Sequence, residues 1–287
     1  MQLLNRLKKA FTGILAQLRL FRWSVNLDFS LLFSVPGICP GLKLKMILGK
    51  YLNFVRDRLY HPSCGFFQAE FAGKNYLYND SFGTGSIQRV LCESFKLRKY
   101  LQKSPLVVDV GANSGQFNRF CEFYLGASRI ISIEPVKETF DLLLKNVRQP
   151  QDCYQAMISD RDGPARFFIT GASQLSSAIQ PDDNVPYTET ELYPTRLDKI
   201  LSDADIDTID LLKIDCEGSE MEVLRSASAF LDRTRLILVE MSVLRRNAGN
   251  LFAVGSYLEA SGFCLRELIP SHSGDFSSID GIFQKIL

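Results

Sequence analysis

Asp109-Val110-Gly111-Ala112-Asn113-Ser114-Gly115-Gln116-Phe117 is the stretch that decides how this 287-residue chain folds. It follows the apolar run Pro105–Val110, which reads as a strand. After it, Phe117, Phe120, Cys121, Tyr124 and Leu125 fall on one face of a helix. A strand turning sharply into a helix places backbone beyond the carboxyl end of a sheet, where open α/β folds bind ligands. Gly111 and Gly115 lack a Cβ, so the turn can be tight and a ligand can lie against backbone. A dinucleotide fingerprint, G-x-G-x-x-G, would need glycines at 113 and 116, where Asn113 and Gln116 stand. The acid two residues ahead of the first glycine, Asp109, and the failed fingerprint together point to a nucleoside-binding turn of another kind.

Outward from that turn, short β-branched runs alternate with helical stretches, the pattern of a parallel sheet covered on both faces. Arg129–Ile133 reads as the second strand, with a helix marked by Val136, Phe140, Leu143, Leu144 and Val147 after it. A third strand is expected near Cys153–Ile158 and a hairpin at Ala165–Thr170. Thr195, with Asp198 three residues on, has the spacing of an N-cap. Ile209–Ile214 and Leu236–Val239 read as the fourth and fifth strands, with a helix over 219–231 between them. Phe263–Leu268 and Ile279–Ile286 close the chain as two strands with no helix between them, so they pair antiparallel or lie apart. The expected fold is α/β, a mostly parallel seven-stranded Rossmann-like sheet with helices on both faces. Residues 66–100 read as a strand pair and a helix. Earlier still, Leu3, Leu4, Leu7, Phe11, Ile14, Leu15 and Leu18 mark an amphipathic helix over 2–22. A second helix is marked by Leu44, Ile47, Leu48, Tyr51, Val55 and Leu59, beyond a Pro/Gly-rich turn at 36–41. The chain divides on this reading into a basic helical extension, 1–65, and a main domain, 66–287, whose first part, 66–103, is a lead-in.

Net charge is +1, which does not point to nucleic acid, but its distribution is uneven. Residues 1–60 carry ten Lys and Arg against Asp28 and Asp57, a surplus of eight, which leaves the rest of the chain at −7. A basic arm on an acidic body suits either a solvated helical face or peripheral contact with an anionic membrane surface. Seven scattered cysteines with no C-x-x-C pair give neither a disulfide framework nor a zinc site. No signal peptide is read in the first residues, and the longest uncharged stretch, Phe29–Leu42, is too short to span a bilayer. A cytoplasmic protein, at most peripheral at the inner membrane surface, is expected.

The chemistry-bearing residues fall at strand ends. Glu134 ends the second strand, where a carboxylate can accept hydrogen bonds from two ribose hydroxyls. Asp160, after the third strand, is a candidate receiver for an adenine amino group. Asp215 and Glu217 lie at the carboxyl end of the fourth strand and Glu240 ends the fifth, so all three are expected where acceptor meets cofactor. Glu220 reads instead as an acid favouring the start of the next helix. His272, in the loop between the last two strands, is a second candidate base. Asp-x-Glu beside a strand end is too common to specify a metal site, and none is expected.

Taken together, VVDVGANSGQF, SIEP, IDLLKIDCEGSEMEVL and LILVE resemble the FkbM family of methyltransferases over about residues 100–270. The motif positions matched are Asp109, Gly111, Asn113, Gly115, Phe117, Glu134, Pro135, Ala156, Ser159 and Asp160, then Lys213, Asp215, Glu217, Gly218, Glu220 and Glu240. Met157 stands where a branched aliphatic residue is usual. The resemblance implies a class I methyltransferase fold, S-adenosylmethionine as methyl donor, and O-methylation of a hydroxyl on a sugar, glycan or secondary metabolite. On the reading of the residues themselves, cofactor contacts are expected at Asp109, Gly111, Asn113, Gly115, Glu134 and Asp160, and acid–base work at Asp215 with Glu217 or Glu240 assisting. Residues 1–60 lie outside it. A nicotinamide-dependent oxidoreductase of Rossmann type and a non-catalytic membrane-associated module stand as alternatives.

Overall fold

A computed structural model of the chain describes residues 21–59, 66–79, 84–171, 176–181, 185–244, 249–270 and 278–286. The helix expected over 2–22 lies almost wholly outside the described residues, as do His61 and His272. Helical backbone over 21–33, here α1, precedes α2 (Pro40–Leu59), the hairpin β1 (Phe67–Phe71) and β2 (Lys74–Tyr78), and α3 (Thr84–Ser94). The main sheet begins with β3 (Leu106–Val110), followed by α4 (Gln116–Phe120), which runs on as one wider turn to Leu125. Next come β4 (Arg129–Ile133), α5 (Lys137–Asn146) and β5 (Cys153–Tyr154). A separate antiparallel pair, β6 (Ala165–Thr170) and β7 (Tyr187–Leu192), leads to α6 (Leu197–Asp203) and β8 (Ile209–Ile214). The chain then forms α7 (Glu220–Ser226), β9 (Thr234–Ser242), α8 (Leu251–Ala260), β10 (Phe263–Pro270) and β11 (Ser278–Lys285).

Seven strands form one sheet in the order β10-β11-β9-β8-β3-β4-β5. Neighbours from β5 through β9 pair parallel, and β11 runs antiparallel to both β9 and β10. The expected terminal strand pair is there. Strand order reverses between β3 and β8, which opens a crevice at their carboxyl ends. Alternate residues of each strand enter different cores, as a sheet covered on both faces requires. Val108, Val110, Ile131, Leu212 and Ile214 pack with α6, α7 and α8. Val107, Ile130, Leu211 and Leu236 pack on the other side with Phe117, Phe120, Ile87 and Leu91. Leu27, Leu31 and Met46 of the first two helices join that second core.

Several sequence expectations need correction. The third strand is only two residues long, and Ile158 forms an isolated bridge with Thr195 instead. The strand at 165–170 finds its partner at 187–192, so the hairpin is long. Arg196, not Thr195, sits at the cap position of α6, and no side chain caps it. The helix α8, of whose residues only Val254 and Leu258 are buried, is not among the sequence expectations.

Within the described part of the basic arm, two lysines turn inward. Lys43 and Lys50 are 8% and 7% exposed. The Lys43 ammonium donates to the carbonyls of Leu32 and Val35 at 2.9 and 2.6 Å, capping the end of α1. Lys50 pairs with the buried Asp28 at 2.6 Å, and Tyr51 and Gln88 donate to the same carboxylate. Because these charges must reach inward to the chain end and the acid they satisfy, the outer face of α2 is left apolar: Leu44, Leu48, Leu52, Val55 and Leu59 are exposed. No described helix is long and apolar enough to cross a membrane.

Candidate active site

The crevice between β3 and β8 is floored by the turn that follows β3. Gly111 adopts φ +79° there, and a Cβ on it would stand 1.9 Å from the backbone oxygen of Asp215. Only glycine fits. Gly115 has φ +94°, and its missing Cβ leaves room for Leu143 of α5. Asn113 lies between them at φ +48°, a conformation that asparagine tolerates better than most residues. Its side-chain oxygen accepts from the Ser114 amide at 2.7 Å and from Gln116 at 3.2 Å. The turn is fastened to β4 by the amides of Gly111 and Ala112, both donating to the Ile133 carbonyl.

Glu134, one residue further along β4, lines the crevice and is 6% exposed. Its two carboxylate oxygens accept from the backbone amides of Asn113 and Val136 at 3.0 and 2.9 Å. Burial pushes its pKa up to about 7 against the pull of those two amides. Each oxygen keeps a further lone pair, and a pair of hydroxyl donors would favour the charged form. Beside it, Pro135, Ala156, Met157, Ile158 and Phe167 make an apolar slot, the last contributed by the β6–β7 pair. A carboxylate able to take two hydroxyls, beside an apolar slot and a glycine turn, fits an adenosyl group.

The other end of the crevice is acidic. Asp215, Glu217, Glu240 and Asp280 line it together with Arg89, Glu93 and Lys213. One carboxylate oxygen from each of Asp215, Glu217 and Glu240 can be chosen so that all lie within 4.8 Å of one another. At that spacing the three can share a proton-transfer task or could hold a divalent cation. Glu240 accepts from Ser278 at 2.9 Å, and burial, helped by Asp215, Glu217 and Asp280, raises its pKa well above the usual carboxylate range. Asp280 lies directly opposite Glu240 in the β9–β11 register. Burial and the charges of Glu93 and Asp215 raise it to about 7. Sequence reasoning missed Asp280, Glu93 and Arg89, because their places follow from the strand register and from α3 packing over the crevice.

Three residues expected at the cofactor do not line the crevice: Gly115, which faces Leu143 of α5, Asp109 and Asp160. Asp109 is wholly enclosed beneath the turn and meets Lys213 at 3.3 Å. Val110, the next residue, lines the crevice, whereas Asp109 lies beneath it, covered by the turn and by the Lys213 side chain beside it. Asp160 pairs with Arg225 of α7 at 2.5 Å, which turns it away from the apolar slot. Glu220 behaves as the sequence suggests for a structural acid, accepting from the Cys216 and Gly218 amides at 3.1 and 2.8 Å.

Residues 109–272, more than half of the chain, match the methyltransferase FkbM domain. The chain belongs to the FkbM methyltransferase family. It is accordingly an S-adenosylmethionine-dependent methyltransferase, and the oxidoreductase and non-catalytic alternatives are not supported. This FkbM methyltransferase is similar to methyltransferase 1 of Beauveria bassiana, 25% identical over 55% of this chain and 72% of that one. It is also similar to methyltransferase sdnD of Sordaria araneosa, 26% identical over 44% of this chain and 61% of that one. A looser likeness, 13% identical with a TM-score of 0.44, links it to Aeropyrum pernix fibrillarin, solved with natively bound S-adenosyl-L-methionine, over 78% of this chain and 84% of that one.

Proposed function

We propose that this FkbM methyltransferase O-methylates a hydroxyl of a sugar, glycan or secondary metabolite, with Asp215 taking up the acceptor's proton. The observation that carries the reading is the convergence of Asp215, Glu217 and Glu240 at the acceptor end of a crevice whose other end suits an adenosyl group. In this reading Gly111, Asn113 and Gly115 shape the cofactor's seat and Glu134 takes the ribose hydroxyls. The bound cofactor supplies a methyl group already activated for transfer. The chain's own work is to orient the acceptor, exclude water and receive a proton. Asp215, 36% exposed at its side chain, is open enough to meet a hydroxyl from the crevice mouth. Glu217 and Glu240 bring a carboxylate oxygen each to within 4.8 Å of it.

The direct test offers the purified protein and labelled methyl donor to panels of hydroxyl-bearing and amine-bearing acceptors and to a crude extract of the source cell. Label appearing as a methyl ether supports the reading, and label only on nitrogen overturns it. Assigning the three carboxylates to proton transfer rather than to a metal is tested by dialysis against EDTA. Full turnover supports it, and a loss restored by magnesium overturns it. Residues 1–65 are proposed as an extension of a methyltransferase domain, 66–287. Peripheral contact of 1–60 with a membrane surface is supported by the exposed apolar residues of α2. Vesicle co-sedimentation is its check.

A further inference from the structure

One buried cation is shared by the floor of the crevice and its acceptor end. Lys213 lies on β8 directly opposite Asp109 on β3, and its side chain is 10% exposed. The ammonium stands 3.3 Å from Asp109 Oδ1 on one side and 3.3 Å from Asp215 Oδ2 on the other. It also donates to the Gly111 carbonyl at 3.1 Å and lies over the Phe117 ring. No donor other than Lys213 reaches either oxygen of Asp109 among the described residues.

We propose that Lys213 is a positioning residue for methyl transfer: held from beneath by Asp109, it fixes the Gly111 turn and holds the Asp215 carboxylate at the acceptor. This rests on the role given to Asp215 above. An ammonium enclosed in a sheet is tolerable only with a charge beside it. Asp109 meets that need and keeps clear of the cofactor. Asp215, more open, is tethered to the same cation. The arrangement gives the buried acid, read from sequence as a cofactor contact, a different task.

A single Lys213→Met change would strand Asp109 without a partner and unfold the chain for an uninformative reason. The test therefore removes both charges together. The Asp109→Asn/Lys213→Met pair is expected to fold, to bind S-adenosylhomocysteine within about tenfold of wild type, and to lose about a hundredfold in kcat. Adding the pair to Asp215→Asn should cost no more than about a further threefold, because residues acting as a unit are non-additive. Structural damage would instead multiply with the Asp215→Asn loss. Wild-type kcat in the pair, or losses that multiply, overturns the proposal. Should the pair not fold, Lys213→Arg keeps the charge, and its loss in kcat is compared in the wild-type and Asp215→Asn backgrounds. A loss in the first that vanishes in the second supports positioning, whereas no loss in the first or equal losses in both overturn it. Full turnover by Asp215→Asn alone would instead mark failure of the Asp215 reading, which separates the two.

Discussion

The two ends of the crevice are built in opposite ways. The cofactor end comes from short, contiguous stretches: one turn, one strand end and the slot beside it. Its single acid, Glu134, is fastened by two backbone amides. The acceptor end gathers acids from just past β8 and from β9, β11 and α3, up to 187 apart in sequence (Glu93 to Asp280), with two cations among them. A site made of backbone geometry is rigid and tolerates few substitutions. A site made of converging side chains is tuned by charge, and single changes there should alter rate more than binding.

That contrast can be broken most severely at Gly111. Replacing it with Ala puts a methyl group 1.9 Å from the Asp215 carbonyl in a left-handed backbone, so we expect a destabilisation of about 3 kcal/mol. Calorimetric titration should then detect no cofactor binding, and an unchanged affinity would show that the turn is not the seat. Next in size, Asp215→Asn should lower kcat by about a hundredfold or more while the cofactor Kd changes less than threefold. Single-turnover kinetics with a separate binding titration distinguish the two effects, and a loss of affinity in place of rate would blur the division between the ends.

Glu134 gives a smaller, pH-dependent effect. With its pKa raised to about 7 by burial, the empty site holds a proton below that pH. Ribose hydroxyls bind best to the ionised carboxylate, so binding should release a proton and weaken as pH falls through 7. Affinity at pH 6 should be about tenfold below that at pH 8. Glu134→Gln should bind weakly at both pH values and lose that dependence. Calorimetry in buffers of different ionisation enthalpy checks the proton release. The smallest effect belongs to Asp160: tied to Arg225 outside the crevice, its change to Ala should alter cofactor affinity less than twofold. A larger change would return it to the adenine site.

The same contrast explains what the sequence could disclose. The glycine turn, Glu134 and the DxE of Asp215 and Glu217 were legible because local spacing fixes where a strand-end residue goes. Asp280 and Arg89 were not, since nothing in 84–94 or 278–285 says which part of the sheet they will meet. Asp109 shows the limit of motif reading. Its position ahead of the turn was legible, but whether its side chain reaches ligand or is covered depends on the turn above it and on Lys213, 104 residues later. In the arm at 21–59, charge counting could not show that Lys43 and Lys50 satisfy a helix end and a buried acid, which only the packed pair of helices brings within reach.

The most direct test of the central claim is a crystal structure of the protein with S-adenosylhomocysteine. The adenosyl group should lie against the 111–115 turn, with both ribose hydroxyls within hydrogen-bonding distance of Glu134 and the sulfur directed toward Asp215. An adenosyl group bound elsewhere, with Glu134 free of the ribose, would contradict it.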